Sequence, residues 1–339
     1  MRRCAIPFLW NAPVQDKTQW PGFADNGDSL LGLARNAGEV YGVFATFHPE
    51  HKPLFPNGVD FRKSNSANFG GLAKLEDLIG AIGAPKYPWS VKATLVAKGQ
   101  EIFAGQCAGC HGVAPGKPRL LNLHTWRTPV QDVGTDSKQY SILVRTADSG
   151  ALEGGHLTIF SRPIPKNAKA IDLLGFSVIG SLLQGGLLEA AQHSPAAKAL
   201  PGIQPPKVQT ALKGAYSLER TPDQIKMCDP KSKPYCYESR VLHGIWATAP
   251  YLHNGSVPTL EDLLKPSSQR PASFKVGRAY DIKRLGLASE QPGSPYSRTT
   301  TDCSKRDDDN SRCGHEGPGF GTDLSDTDRE ALLEYLKTL

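Results

Sequence analysis

No apolar stretch of this 339-residue chain reaches the roughly 20 residues that cross a bilayer. The longest uncharged one, Leu173 to Leu188, has 16 residues, including four glycines and Gln184. It reads as a buried core helix or two short ones, and no membrane span is expected. Charge of one sign is also lacking: 39 Lys and Arg stand against 33 Asp and Glu, for a net +6. No basic stripe with interleaved aromatics occurs, so nucleic acid is not an expected partner. The N-terminus has two arginines and the short run Ala5 to Trp10, interrupted by Pro7. An export signal needs a longer apolar core, so none is read here. Strand signals are few, and the best of them, Tyr140 to Val144, is short. What the chain has in quantity is 39% hydrophobic residues, 34 Gly and 27 Pro, which suits a globular, loop-rich protein.

Cysteine is scarce but patterned. Of seven, two lie in Cys107-Ala108-Gly109-Cys110-His111, the C-x-x-C-H of c-type haem attachment. Two thiols add across the two vinyl groups of one porphyrin, and the adjacent imidazole is placed to meet the iron. At this chain's own composition, the motif arises by chance with an expectation of about 0.004. A zinc ribbon would need a second ligand pair, and a thioredoxin-like pair a βαβ setting. Neither is present in the sequence. One covalent haem c is therefore expected on Cys107, Cys110 and His111. By proximity Cys228 pairs with Cys236 and Cys303 with Cys313, leaving Cys4 over. Haem c and disulfides together imply a periplasmic or secreted setting, although no signal is read at the N-terminus.

The periodic segments are helical. Residues 28–44 place Leu30, Leu33, Ala37, Val40 and Tyr41 on one side, and a second amphipathic segment starts at Asn68. Residues 91–103 carry Leu95, Ile102 and Phe103 on one face as they run into the haem motif. At the C-terminus Ser325 is a good N-cap, acids fill the first turn, and Leu332, Tyr335, Leu336 and Leu339 share a face. The expected class is mainly α. A cytochrome c-like haem domain with long ordered loops (90–339) follows a partial helical segment (1–89).

The stretch Gly244-Ile245-Trp246-Ala247-Thr248-Ala249-Pro250-Tyr251-Leu252-His253-Asn254-Gly255-Ser256-Val257-Pro258-Thr259-Leu260 resembles a segment of the bacterial di-haem cytochrome c peroxidases. It is most similar to the rubber-oxygenase branch. Ser273 to Gly277, Gly314-His315 before Phe320-Gly321-Thr322, and Pro7 to Pro13 also fit that branch. Members carry two C-x-x-C-H sites, and this chain has one, matching the C-terminal haem. The resemblance thus implies that the chain starts after an N-terminal peroxidase-like site, the alternative being a one-haem descendant of the family. Residues 1–89 would then be a remnant of that domain.

The second axial ligand is open from the residues alone. Methionine is scarce, with only Met1 and Met227, and none lies beyond His253, where the family's peroxidases place one. The resemblance implies a bis-histidine site whose distal ligand comes from the late Gly-His segment, here His315. Extra residues before Phe320 depart from that pattern. His253 is the rival, with a structural role beside the Asn254-Gly255 turn as its other reading. His124 and His243 read as partly buried structural histidines, and His48 and His51 as surface ones. The expected function is electron transfer through one haem, with a redox partner protein or a second haem domain. The alternative is a haem peroxidase or oxygenase acting on peroxide or a hydrophobic polymer, for which no distal acid or base is assignable.

Overall fold

The computed structural model describes residues 8–27, 29–55, 57–113, 125–157, 161–193, 228 and 235–339. Cys4, His124 and Met227 lie outside these. The chain is mostly helical, with 37% helix and 14% strand. Among the described residues its α-helices are α1 (Ser29–Val43), α2 (Phe69–Ala81), α3 (Ala93–Ile102), α4 (Ala108–His111), α5 (Lys138–Leu143), α6 (Ala170–Ser181), α7 (Leu187–His193), α8 (Leu260–Leu263) and α9 (Asp326–Leu336). Strands among the described residues are two or three residues long and pair antiparallel in twos.

The sequence specifies the helix ends locally. Asn68 caps α2 by accepting from the Gly71 amide, and Ser325 caps α9 by accepting from the Asp328 amide. Thr259 does the same for the short α8. The short, weak strand signal at Tyr140–Val144 gives way to α5 and the residue after it. Its first turn is fixed by the Asp136 carboxylate, which accepts from the Lys138 amide at 2.9 Å, and Tyr140 turns inward. A turn-forming acid thus outweighs two β-branched residues.

Helices α3 and α9 cross in direct contact, and Gly99 makes this possible. A Cβ at Gly99 would stand 2.0 Å from the Ala331 carbonyl oxygen. Around this crossing lies the main core, with Phe103, Leu332, Tyr335, Leu336, Ile245, Tyr251 and Leu285. Full burial of each large apolar side chain contributes about 1.5–3 kcal/mol.

A second core joins residues from both sides of position 89. Leu33 and Ala37 of α1 and Phe69 and Ala73 of α2 pack on Val178, Leu182 and Ala190. The apolar run expected as one or two core helices is α6 and α7, joined by a π-helical turn at Leu182–Gly186. Gly185, at φ 124°, allows the break. By length and composition the run Ala170–Ala190 is one that could cross a membrane, with a mean hydropathy of 1.6. In the structure Phe176, Val178 and Leu182 are buried, while Ile179, Leu183 and Leu188 face outward.

Candidate metal centre

Helix α3 passes through a π-helical turn, Phe103–Cys107, directly into α4, which ends at His111. Phe103 is 2% exposed and anchors that turn in the main core. The turn delivers Cys107, Cys110 and His111 to one wall of a cavity that is open at its mouth. Phe8, Leu252, Leu260, Leu332 and Leu336 make most of the remaining lining apolar.

The cysteines are free of any disulfide. Burial, and secondarily Cys110, push the Cys107 thiol up to about 12. A raised thiol pKa disfavours the nucleophilic thiolate that a dithiol redox centre needs. It is compatible with a thiol held for thioether formation. Among the described residues no group of three or more metal-ligating side chains gathers elsewhere, and His48 and His51 form no such site.

The His111 tautomer is fixed by its neighbour. Nδ1 lies 2.6 Å from the Arg240 carbonyl, an oxygen that can only accept, so Nδ1 carries the proton and Nε2 is left as a lone-pair donor. His315 also lines the cavity, and the two imidazole centroids are 6.2 Å apart. Two metal–nitrogen bonds of about 2 Å, plus the half-widths of two imidazoles, sum to roughly 6 Å. His315 is half-buried, and its Nδ1 is inaccessible and has no hydrogen-bond partner among the described residues. Burial, then His111 and Arg270, lower its pKa to about 3, so the ring is neutral and able to ligate. A haem with two axial histidines therefore fits the residues present.

The segment bearing His315 is held unusually firmly. Its backbone is left-handed at His315, φ 54°, after Gly314 at φ 89°. A Cβ at Gly314 would press on the Thr135 amide at 2.6 Å. The His315 amide donates to the Val133 carbonyl at 2.7 Å, and the Cys303–Cys313 disulfide ties the strand two residues earlier. Arg270, only 3% exposed, donates to the carbonyls of Leu263, Lys265, Arg312, Gly314 and His315. Burial lowers its pKa to about 10, and Glu316 and Asp262 act in the opposite direction. Nothing in the sequence pattern singled out Arg270, because the five acceptors it gathers come from two distant segments.

His253 reaches the same cavity but is otherwise engaged. Its Nε2 is 3.1 Å from Asp136 Oδ2, and its ring stacks on Tyr237 at 4.2 Å. The neighbouring Asn254 amide donates to Asp136 and to the Ser311 carbonyl. His243 lies against Trp126, and burial lowers its pKa to about 4. The second disulfide, Cys228–Cys236, is formed as the spacing suggested.

Residues 96–166 match the family model for cytochrome c. This chain contains a cytochrome c-like domain. Residues 236–275, which hold the Ala249-Pro250-Tyr251 to Leu260 stretch, match the model described as "RoxA-like, cytochrome c-like". Together the two matches support the rubber-oxygenase-like cytochrome c family. The uncharacterized protein y4iJ of Sinorhizobium fredii is 28% identical over 99% of this chain, and the uncharacterized protein y4iM of the same organism 25% identical over 98%. The chain spans 54% of the length of the first relative and 64% of the second. A cytochrome c domain implies covalently bound haem c and supports haem-based electron transfer. With the disulfides, it is consistent with a periplasmic or secreted protein.

Proposed function

We propose that the chain transfers electrons through one haem c, attached at Cys107 and Cys110, with His111 and His315 as its two axial ligands. The observation that carries this reading is the facing pair of imidazoles 6.2 Å apart, that of His315 neutral and lacking a partner at Nδ1 among the described residues. The bound haem supplies a one-electron iron couple. The protein's own residues do the rest. The Arg240 carbonyl orients His111, Arg270 holds the His315 segment, and the apolar walls keep water away. A haem held by both His111 and His315 would leave no position on its iron for peroxide or oxygen. Electrons would pass to a redox partner protein or to a second haem domain.

The test is spectroscopic. Protein made with periplasmic haem-attachment machinery should gain the mass of a single haem, show a low-spin ferric spectrum, and resist carbon monoxide when reduced. A wild-type protein that is high spin and takes up carbon monoxide readily would overturn the reading in favour of a peroxidase or oxygenase of the di-haem type. Replacing Cys107 and Cys110 together by alanine should abolish covalent attachment.

A further inference from the structure

The cavity wall behind His111 carries a charged pair that the axial ligands do not use. Arg240 and Glu238 flank Ser239 there, with side chains 9% and 0% exposed. Glu238 faces away from Arg240 in its strongest bonds: Oε1 accepts from the Lys17 amide at 2.9 Å and from the Thr128 hydroxyl at 2.6 Å. Its Oε2 is 3.4 Å from Arg240 Nη2, a long approach for an ion pair, and accepts no hydrogen bond among the described residues. Burial raises the Glu238 pKa, which weakens it further as a counter-ion.

Arg240 is thus a desolvated cation with incomplete compensation. Nη2 donates to the Gln19 carbonyl at 2.8 Å, and the guanidinium lies over the Trp20 ring at 5.1 Å. Its Nε has no acceptor among the described residues. A buried donor on a charged group is costly to leave unmet, and no described residue of the cavity wall accepts from Nε. Thr135, on the same cavity, has a second buried hydroxyl with no partner among the described residues. An anionic group filling the cavity would supply that acceptor and add to the partial compensation that Glu238 gives the charge.

We propose that the Arg240 side chain binds a propionate carboxylate of the haem, so that Arg240 fixes the macrocycle with its side chain and His111 with its main chain. This rests on the haem reading above. Removing the guanidinium takes a positive charge from beside the iron, which favours the ferric state. The reduction potential should therefore fall in Arg240→Leu.

The experiment uses the full chain loaded in cells fed 5-aminolevulinate labelled with ¹³C at its carboxyl, which places the label in the haem propionates. Infrared redox-difference spectra then identify the propionate stretch by its isotope shift. In Arg240→Leu that band should move and the midpoint potential should drop. In Arg240→Lys, which keeps the charge and loses the planar fork, the band should move with a smaller drop. If the leucine variant takes up no haem, the lysine variant and Arg240→Gln carry the comparison. An isotope-sensitive band at the wild-type position in a loaded Arg240 variant would overturn the proposal, whether or not the low-spin spectrum is altered. A wild-type protein without covalent haem would instead defeat the underlying electron-transfer reading, a separate outcome.

Discussion

Arg270 grips the backbone of His315: its Nη2 donates to the His315 carbonyl at 3.0 Å, and its Nη1 to the Gly314 carbonyl at 2.7 Å. The same guanidinium bonds Leu263, Lys265 and Arg312, so one side chain joins α8 to the loop carrying the second histidine. Arg270→Leu leaves five carbonyls without that donor, and a loss of about 3 kcal/mol or more is expected. Denaturant melts should show it. Part of the ferric haem should also become high spin, because a slack loop presents His315 less faithfully. A variant as stable and as fully low spin as wild type would refute this role.

His315 and His253 should separate cleanly. His315→Ala is expected to turn the ferric spectrum high spin and to open the reduced protein to carbon monoxide. His253→Ala removes the contact with Asp136 and the stacking on Tyr237, so it should lower the melting temperature and leave the spin state alone. Should the His253 change by itself produce the high-spin form, the two assignments must be exchanged.

The α3–α9 crossing depends on the absence of one methyl group. Gly99→Ala places Cβ against the Ala331 carbonyl and within 2.7 Å of Tyr335 Cβ. Helix propensity favours alanine by about 1 kcal/mol, whereas overpacking costs about 1–3 kcal/mol or more, and backbone contact lies at the upper end. Net destabilisation is therefore expected, measurable by chemical unfolding. Gly105→Ala meets nothing within 4 Å and serves as the control.

Acid should weaken the fold partly through His243. Burial lowers its pKa to about 4 in the folded chain, against about 6.5 when unfolded. Between these values the unfolded state binds more protons, so stability falls as pH falls. The contribution is complete above pH 6.5 and is lost on descending toward pH 4. Its full size is about 3 kcal/mol. His243→Gln, which cannot titrate, should show a flatter decline between pH 7 and 4.5 in denaturant titrations. An unchanged slope would remove His243 from the acid response.

The amino-acid sequence by itself determined the local features. The haem-binding motif, the helices capped by Asn68 and Ser325, and the two short-range disulfides all depend on residues close together in the chain, where spacing and side-chain chemistry suffice. The weak strand signal at Tyr140 gave way to a helix because one carboxylate, Asp136, outweighed a slight β preference. Only the tertiary structure decided the rest. It brought His315 to within 6.2 Å of His111 across 204 positions of chain, placed the Arg240 carbonyl on His111 Nδ1, and gave Arg270 its five acceptors. It also packed α1 and α2 on α6 and α7, across the division expected at residue 89. Such contacts are fixed by burial and by the need to satisfy buried polar groups, and these depend on which segments meet in space.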